Sequence, residues 1–228
     1  MMNLINKNVE IKKNNFRRKI VSVFVMLCVT SQFLQAQEED FTSWLNAGFE
    51  YKVKPAFVIS TDLEWRTKND LNRTDRWGIG VGGEYLFLPF LKFGAGYELH
   101  YRNRGESGWE FRHRYRVDGT LSTHLQHLKL SLRERLQHTF DGENDEFRLR
   151  SRFKLAYDIP KCKLEPYVSV EIYNGLNFGE HFNVQRMRYR TGLSFEVTDN
   201  WDTEVFYCRQ WQRDRQKNIV GIECSYSF

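Results

Sequence analysis

The sequence predicts an all-β chain folded as an up-and-down antiparallel transmembrane β-barrel, and three observations predict it. Apolar and polar residues alternate at period two from about Leu45 to Phe228, turn signals break that alternation about every dozen residues, and the chain closes on an aromatic residue. In a strand such alternation sends the two sets to opposite faces. Trp77, Ile79, Val81, Tyr85 and Phe87 alternate with Gly78, Gly80, Gly82 and Glu84, and Phe147, Leu149, Phe153, Leu155 and Tyr157 alternate with Arg148, Arg150, Arg152 and Lys154. One face of nearly every strand is aromatic or aliphatic and the other carries Arg, Lys, Glu and Gly. A closed sheet with lipid outside and a polar lumen requires that distribution.

The first 36 residues read as a signal peptide. Lys12, Lys13, Arg17, Arg18 and Lys19 form a basic region, Ile20 to Val29 an apolar run too short to span a bilayer as a helix, and Leu34-Gln35-Ala36 a cleavage site before Gln37. Residues 37–228 then form a single barrel domain. Six of the 34 basic and one of the 29 acidic residues precede Gln37, which leaves 28 of each in the mature chain. The isoelectric point near 9.0 is therefore a property of the leader, and no nucleic-acid partner is expected. A mean hydropathy of −0.61 does not exclude the membrane, because only helical membrane proteins need continuous apolar runs and a barrel's charged lumen lowers the average.

Eleven strands can be read, at about 44–53, 56–66, 77–87, 90–102, 109–121, 127–139, 146–157, 164–173, 184–197, 201–212 and 218–228. Most reach the about 9–11 residues that a tilted spanning strand needs. The connections alternate between mostly short turns, such as Lys54-Pro55 and Leu88-Pro89, and more charged, sometimes longer loops, such as Thr67 to Arg76 and Asn174 to Asn183. In outer-membrane barrels the short turns are periplasmic, which places Phe228 at the periplasmic rim. Bacterial barrels have even strand numbers, so twelve strands are expected in preference to ten, with the missing one sought within Gln37 to Trp44 or residues 174–183.

Trp65, Trp77, Trp109, Trp201 and Trp211 fall at strand ends in the outward phase and form an expected interfacial girdle, because the amphipathic indole favours the headgroup region. Trp44 falls in the inward phase and has no role in this reading.

The inward phase is rich in arginine: Arg112, Arg114 and Arg116, Arg133 and Arg135, Arg148, Arg150 and Arg152, and Arg186, Arg188 and Arg190. Arg112, Arg114, Arg133, Arg135, Arg148 and Arg150 are expected in the outer half of the lumen. Glu84, Asp118, Glu165, Glu196, Asp202 and Glu204 are expected in the periplasmic half. Carboxylates such as Asp62, Glu64, Glu98, Glu110, Glu171 and Glu223 would pair with the arginines, since buried charges need partners. Two consequences follow from the same residues: an ion-pair ladder that fills the barrel, and a basic funnel that concentrates anions. Gly78, Gly80, Gly82, Gly94 and Gly96 leave one inner wall almost bare, either as room for long arginines or as an aqueous path.

Catalytic constellations are sparse. Ser151 interrupts an apolar face, and His113 or His138 is the histidine that could serve it in a lipid-facing hydrolase. His100 faces inward near Arg102, and His124, His127 and His181 sit in or beside turns. Cys162, Cys208 and Cys224 point in different directions without metal-ligand spacing, so neither a metal nor another cofactor is expected.

Several segments together resemble the family of outer-membrane proteins known as domain of unknown function 2490: residues 66–77 (RTKNDLNRTDRW), Phe111-Arg112-His113-Arg114, Leu132-Arg133-Glu134-Arg135, Leu149-Arg150-Ser151-Arg152, Tyr157-Asp158-Ile159-Pro160 and the terminal Phe228. The resemblance covers nearly the whole mature chain and implies a Gram-negative outer-membrane barrel with no established activity. The expected partners are outer-membrane lipid and lipopolysaccharide on the outer face and the barrel assembly machinery at Phe228, with the oligomeric state open. The expected functions, in order, are a narrow porin-like channel for small anionic solutes, a structural or surface-interaction barrel with a plugged lumen, and a lipid-modifying enzyme.

Overall fold

A computed structural model describes residues 39–142, 145–177, 183–212 and 215–228. The expected leader, residues 1–36, lies outside them. The described residues form eleven strands: β1 (Glu39–Lys54), β2 (Phe57–Lys68), β3 (Arg73–Leu88), β4 (Leu91–Asn103), β5 (Trp109–Leu125), β6 (Leu128–Phe140), β7 (Asp145–Tyr157), β8 (Leu164–Gly175), β9 (Asn183–Thr198), β10 (Trp201–Gln212) and β11 (Arg215–Ser227), with one 3₁₀ turn at Gly105–Ser107. At 12 to 17 residues each strand is long enough to cross a hydrocarbon layer at a tilt.

Consecutive strands pair antiparallel around a closed barrel, and β1 and β11 close it. That last pair runs parallel, from Glu39 beside Gln216 to Glu50 beside Ser227. The expectation of twelve strands, and the alternative of ten, are corrected here. Evenness follows only when the first and last strands meet antiparallel, and a parallel seam closes an odd number without leaving an edge. Nor does the stretch before Trp44 form a strand of its own. From Glu39 onward it extends β1, where Asp40 receives the Lys217 Nζ at 2.5 Å and Thr42 is buried. The segment 178–182, the other place where a strand was sought, lies outside the described residues.

The five turns after β1, β3, β5, β7 and β9 gather at one end of the barrel, the turn end, and the even-numbered strands finish at the other, the loop end. Between β2 and β3 three consecutive residues, Asn69, Asp70 and Leu71, take positive φ (54°, 51° and 69°), and Asp70 pins this turn to the start of β1 by accepting the Phe41 amide at 2.9 Å. Phe228 reaches the turn end, where its amide donates to the Glu50 carbonyl at 3.0 Å and its ring packs edge-on to Tyr226.

The alternation places a continuous apolar coat outside. Ile79, Val81, Phe111, Val117, Leu136 and Phe153 are all about half exposed, as is expected of side chains that meet lipid instead of a protein core. Trp65 and Trp77 sit opposite each other across β2 and β3, Trp109 stacks on Tyr101, and Trp211 packs edge-on to Tyr189, all toward the loop end; Trp201 lies with Tyr226 at the turn end.

The buried apolar cluster lies inside the barrel. Trp44, Ala156, Tyr167, Phe206, Cys208 and Ile219 pack together on the inner wall of β1, β7, β8, β10 and β11. Gly192 and Gly221 permit it: both flank Phe206 in register, and a Cβ at either would collide with the ring of Tyr167 or Phe206. Trp44, which had no role on sequence grounds, is thereby explained. It meets Phe206 edge-on at 6.4 Å and carries the Arg66 guanidinium at 3.6 Å over its face.

Candidate functional site: the charged lumen

Every predicted lumenal arginine projects inward, because each lies in the phase opposite the apolar coat. Their partners come from neighbouring strands in register and, as for Arg116 with Asp62, Arg133 with Glu171 and Arg190 with Glu223, from strands further round the barrel. Glu98 on β4 lies beside Arg114 on β5 and accepts from its Nη1 at 2.9 Å, with Arg116 Nε at 3.6 Å. Asp118 holds Arg135 at 2.6 Å, and both side chains are only 7% exposed. On β2, Glu64 receives Arg66 and Arg76, each at 2.5 Å. His100 lies between these groups, with Nε2 3.4 Å from Glu98 and 3.8 Å from Glu64.

Glu171 on β8 is the hub of the lumen. Arg150 donates to its Oε1 at 2.5 Å, and Arg188, Arg133 and Arg152 approach at 3.6, 3.7 and 3.9 Å. Tyr173 donates its hydroxyl to Glu171 Oε2 at 3.1 Å and accepts from Arg188 in turn. One buried carboxylate thus serves four guanidinium groups. Toward the turn end Glu204 accepts from Tyr167 and Arg190, and Arg190 also reaches Glu223 at 3.0 Å. Lys154 and Arg190 cap the rings of Tyr167 and Phe206 at 3.9 and 3.8 Å.

Toward the loop end the balance changes. Arg112 lies 3.5 Å from both Asp141 and Glu146, and Arg148 pairs with Glu146. Arg186 donates to Gln212 at 2.8 Å and has no carboxylate within ion-pair distance among the described residues. Glu110 binds Arg104 at 2.8 Å at the loop rim, Glu84 binds Lys92 at 2.5 Å near the turn end, and Glu196 is exposed at the end of β9.

Two cavities occupy the lumen. The larger, about 990 Å³, opens at the loop end and is lined by eleven Arg and Lys side chains against only Asp75 and Glu146 as acids. The smaller, about 260 Å³, lies deeper and is lined by Arg116, Arg133, Arg135, Arg152 and Arg190 among others. Trp44, Arg66, Arg114, Arg150 and Arg188 belong to both walls, so the cavities adjoin. Arg133 and Arg135 were expected in the outer half of the lumen with Arg112 and Arg114. They instead line the deeper cavity, because the β5–β6 register sets Arg135 beside Asp118 and Arg133 beside Thr120.

The glycine wall is filled from its own neighbours and not from across the barrel. A Cβ at Gly96 would come within 2.7 Å of Arg116 Nε, at Gly78 within 2.7 Å of His100 Cδ2, and at Gly94 within 2.5 Å of Asp118 Oδ2. These glycines therefore make room for polar side chains of the adjacent strands. Tyr167 and Tyr173, which complete the polar network, escaped sequence reasoning. The available signal was an aromatic residue in the polar phase of β8, on either side of Ser169 and Glu171.

On the outer face Ser151 serves no histidine. Its hydroxyl donates to Glu134 Oε2 at 2.6 Å, whereas His113 bonds Tyr97 and His138 bonds Asp145, each at 2.7 Å. The Ser151-histidine constellation is thus not assembled. Glu134 stands in the outward phase at the midpoint of β6, exposed, where a carboxylate is costly in hydrocarbon. Glu134→Leu is expected to stabilise the folded barrel in lipid vesicles by about 1–2 kcal/mol in a urea titration, and unchanged or lower stability would show that the hydrogen bond from Ser151 offsets the cost of the carboxylate. Among the described residues no group of three or more His, Cys, Asp and Glu side chains is arranged to hold a metal ion.

Fold and lumen together define a closed β-barrel with an apolar exterior and a basic interior. The chain belongs to the family described as protein of unknown function (DUF2490), whose model matches residues 41–220. No curated protein matches it. Among solved structures, the NanC porin superposes with a TM-score of 0.50 at 11% identity, over 81% of this chain and 95% of that one. The translocator domain of the autotransporter NalP from Neisseria meningitidis gives 0.40 at 11% identity, over 76% of this chain and 73% of that one. At this identity the porin likeness shows the fold alone.

Proposed function

We propose that the chain is an outer-membrane barrel that admits small anionic solutes through its basic loop-end vestibule. In this reading residues 1–36 direct export and are removed, the loop end faces outward, lipid and lipopolysaccharide surround the apolar coat, and Phe228 presents the barrel to the assembly machinery. The lining of the larger cavity carries the proposal: eleven cationic side chains against two carboxylates, set in a low-dielectric wall, focus a positive potential at the mouth. The deeper cavity continues the path, and the buried rings of Phe206 and Tyr167, which line neither cavity, narrow the lumen toward the turn end. The porin likeness in fold supports such a use.

The same rings favour a second reading, a barrel closed by its own side chains, in which the vestibule binds anions at the surface without passing them. Planar-bilayer recording separates the two. The transport reading expects discrete openings of small conductance from the purified full chain. A barrel that is folded by heat-modifiable gel migration and yet electrically silent contradicts it.

A further inference from the structure

The four guanidinium groups around Glu171 are unequally served. Arg150 makes a close hydrogen bond to the carboxylate, and Arg188 has Gln210 at 2.8 Å and the Tyr173 hydroxyl in addition. Arg133 and Arg152 have only the long approaches of 3.7 and 3.9 Å, and neither makes a side-chain hydrogen bond to any described residue. The Nε of each is buried without a hydrogen-bond partner, as are those of Arg135 and Arg150, which unlike them have a carboxylate oxygen within 2.6 Å. Burying such a donor unpaired costs free energy, more so on a charged group.

The two are also direct cross-strand neighbours. In the β6–β7 ladder Arg133 lies opposite Arg152 and Arg135 opposite Arg150, an arrangement in which like charges destabilise a sheet. Asp118 relieves Arg135 and Glu171 relieves Arg150. Among the described residues Arg133 and Arg152 have only their longer approaches to Glu171, which lies opposite Arg152 in the β7–β8 ladder, and both line the deeper cavity of about 260 Å³, whose wall also carries Asp62, Glu64, Glu98 and Glu223. That space exceeds several times the share of one water, about 30 Å³ in the liquid, so a solute of a few heavy atoms fits.

We infer that Arg133 and Arg152 form a binding site for a small oxyanion, a phosphate or carboxylate group, within the barrel. The class follows from the donors: two planar guanidinium forks on adjacent strands offer parallel N–H groups, which match the several oxygens of an oxyanion better than a monatomic halide. An anion between them supplies the missing acceptors and screens the like-charge pair in one step. The inference deepens the transport reading and rests on it only for its biological use, since occupancy of the site does not require passage.

The test is equilibrium binding of inorganic phosphate to the folded full chain in detergent, read by calorimetric titration and by the unfolding temperature, with chloride at matched ionic strength as the reference. Phosphate is expected to bind saturably in the calorimeter and to raise the unfolding temperature from concentrations near its dissociation constant, the rise then continuing with the logarithm of concentration, by linkage. The variants Arg133→Gln and Arg152→Gln are each expected to weaken binding about tenfold or more, as loss of a charge-assisted hydrogen bond implies. Lys129→Gln, at the turn end, is expected to leave binding unchanged. Absence of saturable binding by the parent, or equal binding by the parent and both arginine variants, overturns the inference. A chain that conducts anions without saturable phosphate binding removes this site and leaves the transport reading intact, whereas one that binds phosphate and never conducts does the reverse.

Discussion

Replacing Glu171 by Gln is expected to cost the barrel about 3–5 kcal/mol of stability, the largest single effect in the lumen. The substitution conserves shape but removes the one negative charge shared by Arg133, Arg150, Arg152 and Arg188 and turns one of two accepting oxygens into a donor that faces other donors. Breaking a buried pair from one side costs more than the pair contributes, because the remaining charges stay desolvated. Here four remain, two of them with little other support. Denaturant unfolding of parent and variant in the same detergent measures the difference. A loss below about 1 kcal/mol would mean that water reaches these arginines freely and that the centre of the lumen is a wet channel instead of a packed ion-pair layer.

The second large effect concerns selectivity. Arg148 and Arg186 both face the vestibule, and Arg186 lacks a carboxylate partner among the described residues. Reversing both to Glu changes the lining from eleven cationic and two acidic side chains to nine and four, with the new acids near the mouth. The field at the entrance should weaken strongly, and the preference for anions should fall or invert in low salt. Ionic strength supplies an internal control, because screening shortens the reach of the field to about 10 Å at 0.1 M and 3 Å at 1 M. Parent and double variant should therefore converge as salt rises. Equal selectivity at low salt would place the conducting path elsewhere.

Much of the barrel was legible because a strand has one simple rule. Period-two alternation assigns each side chain to lipid or lumen independently of its neighbours, so the apolar coat and the inward arginines can be read one strand at a time. Strand parity was not legible, since the alternation carries no information about how the first and last strands meet, and β1 and β11 meet in parallel. Height was not legible either. Arg133 and Arg135 share a phase with Arg112 and Arg114, but their depth depends on the register between β5 and β6, which places Arg135 beside Asp118. The role of Trp44 depends on Arg66, opposite it in the β1–β2 hairpin, and on Arg188 and Phe206, residues far from it in sequence that only closure of the barrel brings to its ring. Ser151 shows the same limit from the outer side, since its partner Glu134 is fixed by the β6–β7 ladder and not by proximity in the chain.

The central claim, a lumen whose mouth selects for anions, is tested most directly by the zero-current potential of the unmodified barrel in a planar bilayer under a potassium chloride gradient. The vestibule lining predicts a potential of the sign set by chloride, large at low ionic strength and shrinking as both sides are raised in salt. A potential of the sign set by potassium, or one indifferent to ionic strength, would contradict it.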